Sequence, residues 1–192
     1  MAKLHFFYST MNAGKSTALL QTNHNFQENN FKTLVFIPEE VANYSKGNVV
    51  SRIGIKTKAI VADKGFDYYE YIKNDKDNLK TVLVDESQFL LKKQVHQLAL
   101  VADNLNIPVI CYGLRTDFMG KLFKGSKELL TIADNIFELK TICTLCTKKA
   151  TMVVRLDENK KVLTQGEKIR IGGNETYQSV CRKHFRELTG LL

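Results

Sequence analysis

The fold is decided by a stretch that reads Leu4-His5-Phe6-Phe7-Tyr8-Ser9-Thr10-Met11-Asn12-Ala13-Gly14-Lys15-Ser16-Thr17. Its first five residues predict a short buried strand, and the spacing that follows predicts a helix over Lys15–Glu28. The residues between match the pattern G-x-x-x-x-G-K-[ST], except that Ser9 replaces the first glycine. In such loops the backbone N–H groups bind phosphates, the lysine reaches the β/γ-phosphates and the hydroxyl ligates Mg²⁺. We therefore predict a loop that binds a nucleoside triphosphate.

The rest of the chain alternates between apolar runs and helical spacing. Further strands are predicted at residues 33–37, 81–84, 107–112 and 136–139, and further helices at Lys92–Leu105 and residues 124–133. This alternation predicts a P-loop (RecA-like) α/β fold, in which a parallel sheet is flanked by helices on both faces. Ligands of such sheets bind at the carboxyl ends of the strands. Residues 41–62 have no clean period, and we expect a mobile loop there.

Composition limits the partners and the location. The 192 residues suit one domain, or one domain with a small appendage. A formal charge of +8 suits an anionic partner, but no long run of like charge predicts nucleic-acid binding. Apolar stretches are too short for a membrane span, and the first strand begins too early to leave room for a signal peptide. We expect a cytoplasmic protein with reduced cysteines.

An acidic pair ends the third predicted strand, Thr81-Val82-Leu83-Val84-Asp85-Glu86. In a protein with a phosphate loop, an aspartate at this position holds Mg²⁺ directly or through water. The adjacent Glu86 is placed to face the γ-phosphate and to accept a proton from an attacking oxygen. A solvated acidic strand end is the plainer alternative. We predict that Lys15, Asp85 and Glu86 are catalytic and that the nucleotide site comprises Ser9, Thr10, Met11, Asn12, Ala13, Gly14, Lys15, Ser16, Asp85, Glu86, Ser87 and Gln88.

Two knuckles near the C-terminus predict a metal site. Cys143-Thr144-Leu145-Cys146 and Cys181-Arg182-Lys183-His184 form a C-x₂-C … C-x₂-H set. Three thiols and an imidazole in two pairs describe a tetrahedral, structural Zn²⁺ site that pins the base of the loop between them. A redox C-x-x-C fits less well, because the second knuckle then has no role. The boundary falls near residue 141, so we predict a nucleotide-binding domain at 1–141 and a zinc-binding lasso domain at 142–192.

The pinned loop contains Gly172-Gly173 and, nearby, Tyr177. Two glycines beside an aromatic residue permit close backbone approach to a flat ligand. A simple hairpin turn explains the same residues equally well.

Taken together, these elements resemble the zinc-containing thymidine kinase family of bacteria and animal cytosol over essentially the whole chain. The resemblance rests on residues 9–17, Asp85-Glu86-Ser87-Gln88-Phe89, residues 112–118, the zinc quartet, and Gly172-Gly173 with Tyr177. It implies transfer of the γ-phosphoryl group of ATP to the 5′-hydroxyl of deoxythymidine, with Mg²⁺, and with Glu86 as the base. It also implies homotetramers and feedback inhibition by dTTP. The nucleoside pocket that it implies comprises Met11, Phe89, Leu114, Phe118, Phe123, Ile171, Gly172, Gly173 and Tyr177.

The chain departs from the family pattern at residues 41–44. The family usually carries Asp-x-Arg-[Tyr/Phe] there, where this chain reads Val41-Ala42-Asn43-Tyr44. Arg52, Arg115 and Arg155 remain open as the arginine that assists phosphoryl transfer.

Two other functions compete: a zinc-ribbon P-loop NTPase acting on nucleic acid, in which Glu86 activates water, and a nucleotide-binding regulator without turnover.

Overall fold

A computed structural model describes residues 1–167 and 175–191. The strands are β1 (Leu4–Ser9), β2 (Lys32–Pro38), β3 (Asn48–Val50), β4 (Lys56–Lys58), β5 (Ile60–Ala62), β6 (Leu79–Val84), β7 (Val109–Leu114), β8 (Asn135–Glu138), β9 (Met152–Leu156), β10 (Val162–Leu163) and β11 (Tyr177–Val180). The helices are α1 (Lys15–Glu28), α2 (Glu39–Ser45), α3 (Tyr68–Asn74), α4 (Lys92–Leu105), α5 (Lys124–Ile132) and α6 (Arg182–Thr189), with a 3₁₀ turn at Ser87–Phe89.

A parallel sheet of six strands forms the larger part of the molecule, in the order β5-β2-β6-β7-β1-β8. Side chains alternate between its two faces, as the pleat of a strand requires. In β2, for example, Leu34 and Phe36 belong to the core on one face, and Val35 and Ile37 to the core on the other. Helices α3, α4 and α5 cover the first face, and α1 and α2 cover the second. The predicted α/β fold is confirmed.

The topology brings the two nucleotide-binding signals to one edge. Strand β7 lies between β1, which leads into the phosphate loop, and β6, which ends at the acidic pair. The pairing is parallel throughout, so β1, β6 and β7 all finish at the same edge of the sheet. The predicted strands and long helices agree with those observed to within a few residues.

The prediction of a mobile loop at residues 41–62 is wrong. Helix α2, the antiparallel β3–β4 hairpin and strand β5 occupy this segment. Val49 packs with Leu19 and Leu20 of α1, and β5 pairs with β2 at the sheet edge. Strands of three residues and a helix of seven carry too few positions for a hydrophobic period, so the sequence gives no sign of them.

The C-terminal elements have an antiparallel sheet of their own, in the order β10-β9-β11. Val154 of β9, Val180 of β11 and Phe185 of α6 pack into a core that is distinct from the two cores of the parallel sheet. Among the described residues, no helix combines the length and the apolar character needed to cross a membrane.

Candidate functional site

The phosphate loop leaves β1 and turns directly into α1. Asn12 and Gly14 both adopt positive φ, at 64° and 77°, and helix α1 begins at the next residue, Lys15. Glycine adopts this conformation at little cost. The resulting bend exposes the N-terminus of α1 at the edge of the sheet, where its unpaired N–H groups and dipole favour an anion.

Ser9, the departure from the glycine pattern, has a structural role of its own. Its hydroxyl accepts a hydrogen bond from Lys15 Nζ at 3.0 Å and donates one to the carbonyl of Thr10 at 2.7 Å. Lys15 Nζ also donates to the Thr10 carbonyl at 2.9 Å. Because φ of Ser9 is not positive, the position does not need glycine. Burial lowers the pKa of Lys15, against the opposing effect of the nearby carboxylates of Glu86 and Asp85.

Ser16 and Asp85 meet across the sheet edge. The Ser16 hydroxyl donates to Asp85 Oδ2 at 2.7 Å, and the backbone N–H of Glu86 donates to Oδ1 at 3.0 Å. Asp85 is buried, and burial, followed by the charge of Glu86, raises its pKa to about 7. An adjacent hydroxyl and carboxylate are the oxygen ligands that Mg²⁺ prefers. A cation here would also relieve the cost of ionising a buried acid, so the residues fit the metal.

Glu86 is presented by a strained turn. Its φ of 50° and ψ of 35° lie in the left-handed region, which is uncommon for a residue with a side chain. The Gln88 amide donates to Glu86 Oε2, while Gln88 Oε1 accepts the backbone N–H of Leu114 at 3.0 Å. The Ser87 hydroxyl donates to the carbonyl of Tyr112 at 2.9 Å. The carboxylate is therefore tied to the end of β7.

Two glycines allow this turn to lie so close to its neighbours. A Cβ on Gly113 would come within 2.7 Å of Ser87 Oγ. A Cβ on Gly125, in the first turn of α5, would come within 2.4 Å of the Ser87 carbonyl oxygen. Such contacts are too short for a real Cβ, so α5 can pack against the acidic turn only with glycine at position 125.

A cleft of about 510 Å³ opens between the phosphate loop, the acidic turn and the β3–β4 hairpin. Its lining residues are Met11, Asn12, Ala13, Gly14, Lys15, Ser16, Thr17, Val50, Ser51, Arg52, Ile53, Glu86 and Leu114. Of the three candidate arginines, Arg52 lines this cleft, whereas Arg115 donates to the Thr151 carbonyl at 2.9 Å. The sequence pattern does not signal this contribution of the hairpin turn, because strands of three residues show no detectable period.

The residues expected to form a nucleoside pocket fall into separate groups. Met11, Phe118 and Tyr177 pack in one cluster with Val153. Phe89 and Phe123 form an edge-to-face pair with ring centroids 5.8 Å apart, and Leu114 lines the phosphate cleft. Ile171, Gly172 and Gly173 lie outside the described residues, as do all residues from 168 to 174.

Two contacts that the sequence does not signal hold this region together. The hydroxyl of Ser179, in β11, donates to the carbonyl of Met11 in the phosphate loop at 2.7 Å. The guanidinium of Arg155, only 5% exposed, lies 4.0 Å from the centroid of the Phe118 ring and donates to the Glu167 carbonyl. The C-terminal sheet thus touches both the phosphate loop and the expected pocket.

The predicted metal ligands converge. One ligand atom from each of Cys143, Cys146, Cys181 and His184 lies within 4.8 Å of all the others. Cys143 Sγ lies 3.3 Å from His184 Nδ1, and Cys146 Sγ lies 3.9 Å from Cys181 Sγ. Burial opposes the Cys143 thiolate, but hydrogen bonding, chiefly with His184, outweighs it and lowers the pKa to about 6. Three thiols and one imidazole could hold a tetrahedral Zn²⁺ ion.

Comparison with known proteins decides the family. The family model described as Thymidine kinase matches residues 2–185. The chain belongs to the thymidine kinase family. A protein of Shewanella oneidensis called Thymidine kinase is 54% identical over 189 residues, covering 97% of this chain and 98% of the relative. One from Mannheimia succiniciproducens is 53% identical and covers 100% and 99%. One from Rhodopirellula baltica is 51% identical and covers 97% and 89%.

The thymidine kinase resemblance is therefore confirmed. Among solved structures, the Pif1 helicase of Candida albicans matches with a TM-score of 0.45 and 16% identity over 73% of this chain and 36% of that chain, too distant to bear on function. The segment that departs from the family pattern, Val41-Ala42-Asn43-Tyr44, lies in α2, where Ala42 is buried and Tyr44 is 70% exposed. In this chain those positions form a helix that covers the sheet.

Proposed function

We propose that this chain transfers the γ-phosphoryl group of ATP to the 5′-hydroxyl of deoxythymidine, which gives dTMP for DNA precursor synthesis. The observation that carries the proposal is a single cleft in which Lys15 and Ser16 of the phosphate loop, the carboxylate of Glu86 and the apolar Leu114 all meet. The relatives named Thymidine kinase support the choice of acceptor. The comparisons lend no support to an NTPase that acts on nucleic acid.

The phosphate loop and the acidic turn would hold Mg-ATP. Backbone N–H groups of residues 9–16 and the Lys15 ammonium bind the phosphates, and Ser16 and Asp85 hold the Mg²⁺ ion. When bound, Mg²⁺ neutralises charge on the β- and γ-phosphates. Lys15 Nζ donates to Ser9 and Thr10, so the ammonium would exchange these hydrogen bonds for bonds to phosphate oxygens when ATP binds.

Glu86 is the proposed proton acceptor. As the 5′-oxygen bonds to the γ-phosphorus, the bond from that phosphorus to the β,γ-bridging oxygen of ATP breaks, and the hydroxyl proton passes to the Glu86 carboxylate. Tethering by Gln88 fixes the orientation of the carboxylate before the substrate arrives. Of the arginines, Arg52 is best placed to stabilise charge on the transferred group, because it lines the same cleft.

The nucleoside would bind where β1, β7 and the C-terminal sheet meet. Met11, Leu114, Phe118 and Tyr177 supply apolar surface, with Phe89 and Phe123 as a further wall. We propose that residues 142–192 form a lasso domain whose Ile171, Gly172 and Gly173 contact the thymine through backbone groups. A structural Zn²⁺ ion on Cys143, Cys146, Cys181 and His184 would pin its base, since all four positions are taken by protein.

Regulation, assembly and location are proposals that rest on the family. dTTP would inhibit by occupying the substrate site, and the enzyme would be a cytoplasmic homotetramer. The edge strand β8 supports self-association, because Ile136 and Phe137 are 43% and 45% exposed on it. Size-exclusion chromatography with light scattering would measure the assembly directly.

The test is a coupled assay of purified Glu86→Gln with thymidine and Mg-ATP. Loss of a positioned base should lower kcat by about 10²–10⁴-fold. ATP and thymidine should still raise the melting temperature of the variant, because the binding groups remain. Near wild-type turnover would remove Glu86 from the base role. A melting temperature that responds to oligonucleotide but to no nucleoside would refute the kinase assignment itself.

A further inference from the structure

A second cleft, of about 640 Å³, lies beside the metal-ligand cluster and shares no lining residue with the phosphate cleft. We call it the basic cleft. Among the described residues, its lining contains no acidic side chain, and six of its members are cationic: Arg115, Lys148, Lys149, Arg182, Lys183 and Arg186. Thr151, Met152 and Cys181 complete it. The proposed kinase reaction uses none of this surface.

Internal acids neutralise only part of this charge. Lys149 pairs with Glu138, and Lys183 pairs with Glu187 at 3.6 Å. Within residues 1–167 and 175–191, Lys148, Arg182 and Arg186 form no ion pair. Three thiolates around a bound Zn²⁺ ion would contribute one net negative charge behind the cleft, which leaves most of the cationic excess uncompensated.

The geometry of α6 directs this charge into the cleft. Arg182 is its first residue, and its N-cap, Cys181, provides no side-chain cap, so the N-terminal dipole adds to the positive potential. Arg186 follows four residues later and lines the same cleft. Like charges at this spacing repel each other on a helix, so an anion between them would relieve a cost that the free protein bears.

We propose that the basic cleft binds an oligophosphate chain. Guanidinium groups match phosphate oxygens in a bidentate manner, and lysines and a helix N-terminus favour the same ligand. The volume exceeds what one phosphate needs. In the part of the chain that the structure describes, no aromatic side chain lines the cleft to stack on a base. The phosphate chain itself is therefore the recognised group, whether it belongs to a nucleotide or to inorganic polyphosphate.

The site is separate from the phosphate loop but adjacent to it in the chain. Leu114 lines the phosphate cleft, and the next residue, Arg115, lines the basic cleft. The Arg115 backbone N–H also donates to the Ser9 carbonyl at 3.3 Å. A ligand in the basic cleft would thus contact Arg115, whose neighbour in the chain, Leu114, lines the phosphate cleft.

Calorimetric titration of the zinc-loaded full chain with inorganic tripolyphosphate tests the proposal. Mg²⁺ is omitted, and Lys15→Ala is the common background, because the phosphate loop also attracts this anion. In that background, Arg182→Gln/Arg186→Gln should weaken binding by roughly 100-fold, about 10-fold for each charged contact. The matched control, Lys76→Gln/Lys93→Gln, removes two exposed cations elsewhere and should change binding less than about twofold. Equal affinities of the two double variants would overturn the proposal.

Further arms identify the ligand and keep the test independent of the kinase assignment. Titration with ATP then identifies the source of the phosphate chain. If the cleft variant loses affinity for ATP as it does for tripolyphosphate, the phosphate chain belongs to a nucleotide; if its affinity for ATP is unchanged, the source is inorganic. Both results support the site. Tighter binding of a dT oligonucleotide, lost in the cleft variant, would replace the proposal with a nucleic-acid surface. If the double variant fails to fold, Lys148→Gln replaces it as the cleft variant and should likewise weaken the binding of tripolyphosphate. With Lys15 intact, the cleft variant should keep its kcat for thymidine.

Discussion

Replacing Asp85 with asparagine should stabilise the magnesium-free protein at neutral and alkaline pH, although it removes a proposed magnesium ligand. Burial and the charge of Glu86 raise the pKa of the Asp85 carboxyl from 3.8 to about 7. The asparagine can keep both local hydrogen bonds. Its side-chain oxygen can accept a hydrogen bond from the Glu86 N–H. Its amide N–H can donate to the Ser16 hydroxyl, which is the donor to Asp85 in the wild type.

The magnitude follows from proton linkage. The folded state holds the Asp85 proton more tightly than the unfolded state. Loss of this proton therefore destabilises the fold increasingly as pH rises from about 4, and the destabilisation reaches its full size above about pH 7. At 1.36 kcal/mol per pH unit, the cost is about 2 kcal/mol at pH 5 and about 4 kcal/mol at pH 8. Asparagine does not titrate. The stability of Asp85→Asn relative to wild type should therefore increase by about 2–3 kcal/mol between these two pH values.

Urea unfolding at both pH values measures this difference. The buffer should lack Mg²⁺ and contain no chelator, so that the proposed Zn²⁺ ion is not removed. Asp103→Asn, which removes an exposed acid of α4, is the matched control against which the change in Asp85→Asn is measured. Addition of Mg-ATP should stabilise the wild type far more than Asp85→Asn. Parallel stability profiles for wild type and Asp85→Asn would refute the assignment of Asp85 as a buried acid with a raised pKa.

Three further predictions test the supports of the site. Gly125→Ala should destabilise the fold by about 1–3 kcal/mol in urea unfolding, whereas Gly65→Ala, whose added Cβ comes no closer than 3.4 Å to its neighbours, should be nearly neutral. Ser179→Ala should cost about 1 kcal/mol and raise KM for both substrates about fivefold, because it releases the Met11 carbonyl; unchanged KM values would contradict this link. Cys146→Ser should abolish stoichiometric zinc binding and lower the melting temperature, which elemental analysis and calorimetry would check.

The sequence predicted the parts of the site whose chemistry requires particular residues at fixed spacings. Gly14, Lys15 and Ser16 had to follow a strand and open a helix, and they do. Asp85 and Glu86 had to follow a buried strand that finishes at the same edge of the sheet, and they follow β6. The metal quartet had to converge, because two knuckles with two ligands each have few other uses. Each of these features depends on local spacing, which a linear sequence displays directly.

What the sequence could not predict depends on residues that approach only in the folded chain. Arg52 reaches the phosphate cleft on a hairpin whose strands have three residues each, too short for a detectable period. The basic cleft draws its cations from the residue after β7, from Lys148 and Lys149 beyond the first metal knuckle, and from α6, so no long run of charge marks it. Cations that are distant along the sequence are thus brought together only by the fold.

The metal cluster and the phosphate loop are joined by a short path of hydrogen bonds, which gives the zinc site a consequence beyond local folding. Thr144, inside the first knuckle, donates its backbone N–H to the Ser179 carbonyl at 3.0 Å. The Ser179 hydroxyl in turn donates to the Met11 carbonyl at 2.7 Å. Met11 lines the phosphate cleft and also packs with Phe118 and Tyr177. Because Ser179 is buried and the Thr144 hydroxyl also donates to its carbonyl, at 3.2 Å, the path has few ways to rearrange. An ion that fixes the knuckle therefore also fixes the residue that both proposed substrates would contact.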